Sequence, residues 1–140
     1  MLTDFDEKTL NLQGSILGFG ELNEYKLESI DDTLFMYLRS LEKPEISFIT
    51  TSPFDWYKDY SLKLDDHLKG KLKIEKPEDA LVLCIVTIRE TINSSTINLA
   101  APLIININQR IGLQHVLQDT KYTANSLLIT TPRSEGEAGE

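Results

Sequence analysis

Residues Ala80 to Arg89 read Ala-Leu-Val-Leu-Cys-Ile-Val-Thr-Ile-Arg, the most hydrophobic run in the chain. Extended, this run puts Ala80, Val82, Cys84, Val86 and Ile88 on one face and Leu81, Leu83, Ile85 and Thr87 on the other. A strand that is apolar on both faces cannot lie on a surface; it must be central and covered twice. The chain therefore has to supply apolar layers on both sides of this segment. Cys84 is the only cysteine, so no intramolecular disulfide or cysteine-based metal site can form. On such a strand it is expected to be a buried small hydrophobe rather than a reactive thiol.

A second run, Ser95 to Asn108, reads as strand, Pro, strand. Leu103, Ile105 and Ile107 share one face, while Ile104, Asn106 and Asn108 share the other. Asn is depleted in strands, so Asn98, Asn106 and Asn108 call for a local reason, such as satisfying a backbone group or facing an edge. Gln109 to Gly112 reads as a turn, and Leu113 to Leu117 as the hairpin partner of Leu103–Asn108.

The remaining segments are short. Phe5 to Leu12 reads as an edge strand, followed by turn chemistry around Gly14 and Gly18-Phe19-Gly20. These glycines lack the Lys-Ser/Thr pair of a phosphate loop. Strands are expected over Glu24–Ile30, Leu34–Leu41, Ile46–Thr51, Ser61–Leu64 and Lys71–Glu75, and a last apolar run at Leu127-Leu128-Ile129. Asp65 is placed to cap a short helix through Leu68, with Gly70 as its stop. Nine or ten short strands with turn signals between them predict a mainly β fold: a single-domain antiparallel β-barrel or roll over 1–132 with at most one or two short helices. The tail over 133–140 has no apolar residue larger than Ala and is expected to be flexible and acidic.

The net charge of −8 argues against direct nucleic-acid binding and would steer a basic protein partner toward the chain. The N-terminus has no basic segment followed by an apolar run, and no stretch is long enough to span a membrane, so a cytoplasmic location is expected.

Residue types for catalysis are sparse. His67 falls in a charged turn, and His115 in the strand after Gly112. The pairs Asp31-Asp32 and Asp65-Asp66 fit turns, where Asp bonds its own backbone. No catalytic residues, metal ligands or cofactors are expected. The segment Ser52-Pro53-Phe54-Asp55-Trp56-Tyr57-Lys58-Asp59-Tyr60 concentrates aromatic and acidic residues. It reads either as rings covering one end of the core or as a recognition surface, since Trp and Tyr carry much of the energy at interfaces. On the second reading Asp55, Trp56, Tyr57 and Asp59 are the partner contacts.

Thr96-Ile97-Asn98-Leu99-Ala100-Ala101-Pro102-Leu103-Ile104-Ile105-Asn106 follows the pattern Thr-Val-Asn-Leu-x-Ala-Pro-Ile-x-Ile-Asn and so closely resembles the signature of the FliW family of flagellar assembly factors. Gly14 to Phe19, Leu38 to Leu41 with Ile46 to Ile49, Ser52-Pro53-Phe54 with Asp59-Tyr60, and Gln114 to Leu117 resemble further family segments. The chain departs from the family at Leu17, Ser52 and His115. The resemblance implies a non-enzymatic cytoplasmic regulator, monomeric when free, that binds flagellin in a chaperone-like way. It also implies binding to CsrA, a small basic RNA-binding repressor of flagellin translation, and antagonism of that repression. Within the signature, Asn98, Ala101, Pro102 and Asn106 are read as structural in preference to direct partner contacts, with Pro102 marking an edge or a strand start and Asn98 and Asn106 pinning backbone on either side. Two competing readings remain. One is a small β-barrel hydrolase or ligand-binding domain of unknown substrate, which needs acids or His67 and His115 to converge in a concave site; the other is a self-assembling structural subunit.

Overall fold

The computed structural model describes residues 7–118 and 120–128. Phe5, Ile129, the boundary at 132 and the expected tail at 133–140 lie outside the described residues. Among the described residues, nine strands form one sheet: β1 (Thr9–Asn11), β2 (Glu24–Ser29), β3 (Phe35–Ser40), β4 (Ser47–Thr51), β5 (Ala80–Thr87), β6 (Thr96–Ile97), β7 (Leu103–Asn106), β8 (Ile111–Gln114) and β9 (Ser126–Leu127). The order β4-β3-β2-β1-β8-β7-β5 closes on itself through a β4–β5 pairing, giving a seven-stranded barrel. The short strands β6 and β9 extend the sheet beyond β5.

The two-faced strand is the hinge of this architecture. Leu81, Leu83 and Ile85 join Leu10, Leu12, Tyr25, Leu27, Met36, Leu38, Leu103 and Ile105 inside the barrel. Val82, Cys84 and Val86 pack outside it against Tyr60, Ile97, Leu99 and Leu128. One edge of β5 pairs with β4 through Cys84–Val86; the other pairs first with β7 through Ala80–Leu83 and then with β6 through Val86–Thr87.

A third apolar layer covers β7 and β8 from outside. Here α1 (Asp66–Lys71) and the turn after it bring Leu68, Leu72 and Ile74 onto Ile104 and Leu113. Asp65 caps this helix as expected, its carboxylate accepting from Leu68 N–H at 2.8 Å. The helix does not stop at Leu68 but runs through Gly70 to Lys71. Leu68 and Leu72 are one helical turn apart and both buried; burying two leucines contributes about 3–6 kcal/mol, which outweighs the roughly 1 kcal/mol cost of an internal Gly.

Four further expectations are corrected. β1 is not an edge: it pairs antiparallel with β2 and parallel with β8 through Asn11 and Ile111, the one parallel pairing among the described strands. Ser61–Leu64 alternates like a strand but has no ladder partner and is irregular. Lys71–Glu75 begins as the helix end and continues as a turn with Lys73 at φ +58°. β8 ends at Gln114, so His115 lies beyond the ladder.

Candidate functional site

Between β6 and β7 the chain makes a deep bulge, with residues 98–102 standing opposite Cys84 and Ile85 of β5. Leu99, Ala101 and Pro102 are buried in it, so its backbone groups need partners inside the protein. The Asn98 side-chain oxygen accepts from the N–H of both Ala100 and Ala101 at 3.1 Å. Pro102 has no N–H to satisfy. Asn98 N–H donates to Ile85 O, and Leu99 N–H to Thr123 O. The carbonyls are met from two directions: Tyr60 hydroxyl donates to Leu99 O, Leu117 N–H to Ala100 O, Gln114 Nε2 to Ala101 O and His115 N–H to Pro102 O. Past Gln114 the chain therefore serves the bulge and leaves the β7 ladder. Cys84 lies under this layer, and burial pushes its thiol up to about 12, with the neighbouring Tyr60 hydroxyl offsetting part of the shift.

At the far end of the signature Asn106 is buried. Its Nδ2 donates to the carbonyls of Leu72 and Lys73 at 3.0 Å each, and its Oδ1 accepts from Asn108 N–H at 3.1 Å and Gln109 N–H at 3.2 Å. One side chain thus ties the turn after α1 to the β7–β8 turn.

The aromatic segment packs over the bulge from outside. Tyr60 is the connection, with its hydroxyl on Leu99 and its ring 4.5 Å from Tyr122 and 5.7 Å from Phe54. Trp56 stacks on Phe35 at 5.8 Å, and its indole N–H donates to Thr51 Oγ1 at 3.0 Å. The Tyr57 hydroxyl donates to Leu127 O, and burial raises its pKa. Both candidate aromatic contacts thus have internal partners and are half-buried, whereas Asp55 and Asp59 are exposed. Trp56 and Tyr57 thus share one apolar cluster with Tyr60 and with Leu99 of the bulge, while Asp55 and Asp59 stay on the surface. Tyr60 and Gln114 fall within segments singled out in the sequence, but their ties to the bulge are not readable there. Gln114 also accepts from Leu17 N–H through Oε1 and so ties the glycine loop to the bulge. A long polar side chain at the end of an apolar strand was the available signal for it.

The histidines do not meet. His67 is exposed on α1. His115 lines a shallow depression together with Ser61 and Asp65, the residue types of a nucleophilic triad. Among the described residues, however, no hydrogen bond joins these three side chains, and the Asp65 carboxylate is engaged as the α1 cap. A triad needs nucleophile, base and orienting acid in hydrogen-bond contact. No group of three or more His, Cys, Asp or Glu residues suited to a metal occurs among the described residues, and no helix among them is long and apolar enough to cross a membrane.

The fold and site define a small closed β-barrel whose outer face carries a hydrogen-bonded bulge under an aromatic, acid-studded segment. The family model described as FliW protein matches residues 2–128, and the chain belongs to the FliW family. The flagellar assembly factor FliW of Oceanobacillus iheyensis is 34% identical over 132 residues, covering 94% of this chain and 90% of that protein. The flagellar assembly factor FliW of Clostridium novyi is 41% identical over 118 residues, covering 84% and 82%. A solved structure, the crystal structure of the flagellar assembly factor FliW, superimposes with a TM-score of 0.82 at 29% identity over 88% of this chain and 86% of that one.

Proposed function

We propose that this chain is a flagellar assembly factor that acts in the cytoplasm by binding proteins and not by catalysis. It holds flagellin in a chaperone-like way, and when flagellin is exported it captures CsrA and so frees the flagellin message from repression. The observation that carries this reading is the family match, which runs through every strand of the barrel and through the bulge. The charge of −8 supports it, because an acidic protein meeting a small basic one gains association rate and selectivity. The proposed contacts are Asp55 and Asp59, which are exposed, and the outward edges of Trp56 and Tyr57.

Co-purification of the full chain with flagellin and with CsrA tests the reading. Stoichiometric complexes of an otherwise monomeric protein are expected, without added metal or nucleotide; absence of both complexes at micromolar concentration overturns it. The Asp55→Lys/Asp59→Lys variant is expected to slow CsrA association about tenfold at low salt, with the difference shrinking as salt screens the charges. Unchanged association rates at low salt would move the CsrA surface elsewhere.

A further inference from the structure

Residues 63–76 carry five lysines against three carboxylates, a local excess of positive charge in a chain of net −8. Three of these lysines, Lys63, Lys69 and Lys76, line an open groove of about 550 Å³, within the roughly 300–1,000 Å³ range of ligand clefts. Its floor and walls are apolar: Leu62, Leu64, Ile74, Val82 and Pro77, with Phe54 at one rim. Glu75 is its one carboxylate. Phe54 is 44% exposed, held edge-on to Tyr60, and so presents apolar surface at the mouth.

The groove is built before any occupant arrives. Asp79 Oδ2 accepts from the N–H of Glu75 and of Lys76 at 3.1 Å each, fixing the backbone that carries Lys76. Asp65 fixes the start of α1, which carries Lys69. Among the described residues Lys63 and Lys76 make no ion pair, and Lys69 has only the exposed Asp66 at 4.0 Å. Three lysines thus line an apolar trough with little local neutralisation. A convex membrane surface does not fit into a trough, whereas a narrow peptide does.

We propose that this groove docks an acidic, amphipathic peptide segment of a partner protein, its apolar side chains on the floor and its carboxylates on Lys63, Lys69 and Lys76. This goes beyond the function proposed above, because a basic partner such as CsrA is recognised by carboxylates and is repelled here.

The test uses the full chain and a short fluorescein-labelled peptide of leucine and glutamate, with leucines at i, i+3, i+4 and i+7. Saturable binding by anisotropy is expected, weakened about tenfold or more in the Lys63→Glu/Lys76→Glu variant and also in Phe54→Ser. A matched peptide with serine for leucine is expected to bind weakly, and one with lysine for glutamate is expected to prefer the charge-reversed variant. Equal affinity of wild type and Lys63→Glu/Lys76→Glu for the acidic peptide overturns the proposal. So does tighter binding of the lysine peptide to the wild type, or binding confined to phosphatidylglycerol vesicles. Melting curves accompany each variant; if Phe54→Ser lowers Tm, the exposed lysine pair alone decides. Because the probe is neither flagellin nor CsrA, peptide binding can succeed while those complexes fail, and the reverse.

Discussion

The Asn106 carboxamide satisfies four backbone groups at once, two as donor and two as acceptor. It also faces a turn that holds Lys73 in the left-handed region at φ +58°, a conformation costing a non-Gly residue about 1–2 kcal/mol. Asn106→Ala leaves the buried Leu72 carbonyl and three part-buried backbone groups without this partner and is expected to lower stability by about 1–3 kcal/mol, read as a shift in the urea midpoint. If Asn106 were a partner contact instead, the midpoint would stay and affinity would fall. Asn106→Asp keeps the acceptor oxygen but turns a carboxylate toward the Leu72 and Lys73 carbonyls. That environment favours the protonated acid, which can donate. The variant's deficit relative to wild type is therefore expected to be largest at neutral pH and to shrink as pH falls; a deficit independent of pH would contradict the assigned donor role.

At the scale of elements, two glycines separate what packing forbids from what propensity merely disfavours. A Cβ on Gly112 in β8 would stand 2.8 Å from Ile104 O, 2.9 Å from Ile105 Cγ1 and 3.0 Å from Leu12 Cδ2. The nearest of these is backbone, so Gly112→Ala must push β7 and β8 apart and is expected to cost about 1–3 kcal/mol by denaturant titration. Gly70 in α1 meets nothing within 4 Å and is exposed, so Gly70→Ala is expected to stabilise by about 0.5–1 kcal/mol. A destabilised Gly70→Ala would mean that the helix does not continue through this position. The contrast also shows what was legible beforehand. Alternation marked β2, β3, β5 and β7 because one parity of each strand faces the barrel interior and the other faces outward, and Asp65 announced α1 by its side-chain chemistry. Gly70 misled because its local preference yields to the burial of Leu68 and Leu72. Leu62 and Leu64 alternate because they floor a groove, not because they join a ladder. The parallel β1–β8 seam and the anchoring of Tyr57 depend on partners about 100 and about 70 residues away, and no local pattern encodes such distances. The Asn98–Pro102 bulge stood out in the sequence as an anomaly, while its meaning came only with the chain that wraps it.

For the whole molecule, the central strand carries the consequence that is easiest to titrate. Cys84 sits between the barrel and its outer layer, with a thiol pKa near 12 against an ordinary value of 9.0. Above pH 9 the unfolded chain loses this proton and the folded chain keeps it. Stability is therefore complete below pH 9 and falls as pH rises toward 12, by about 1.4 kcal/mol per pH unit once the unfolded thiol is ionised. Tyr25, Tyr57 and Tyr60 are also raised above 10.0, chiefly by burial, and they steepen the fall only above pH 10. Cys84→Ala is expected to lower neutral-pH stability by about 1 kcal/mol through the small cavity it leaves and to delay the onset of alkaline destabilisation from about pH 9 to about pH 10. Urea midpoints measured from pH 7 to 11 in both proteins check this directly. The same burial makes the native thiol unreactive, so its labelling by a thiol reagent should run at the rate of opening of the outer layer. Labelling that is slowed by urea-stabilising variants such as Gly70→Ala would tie opening at Cys84 to global unfolding. Labelling indifferent to such variants would instead identify the aromatic layer over the bulge as a unit that opens by itself.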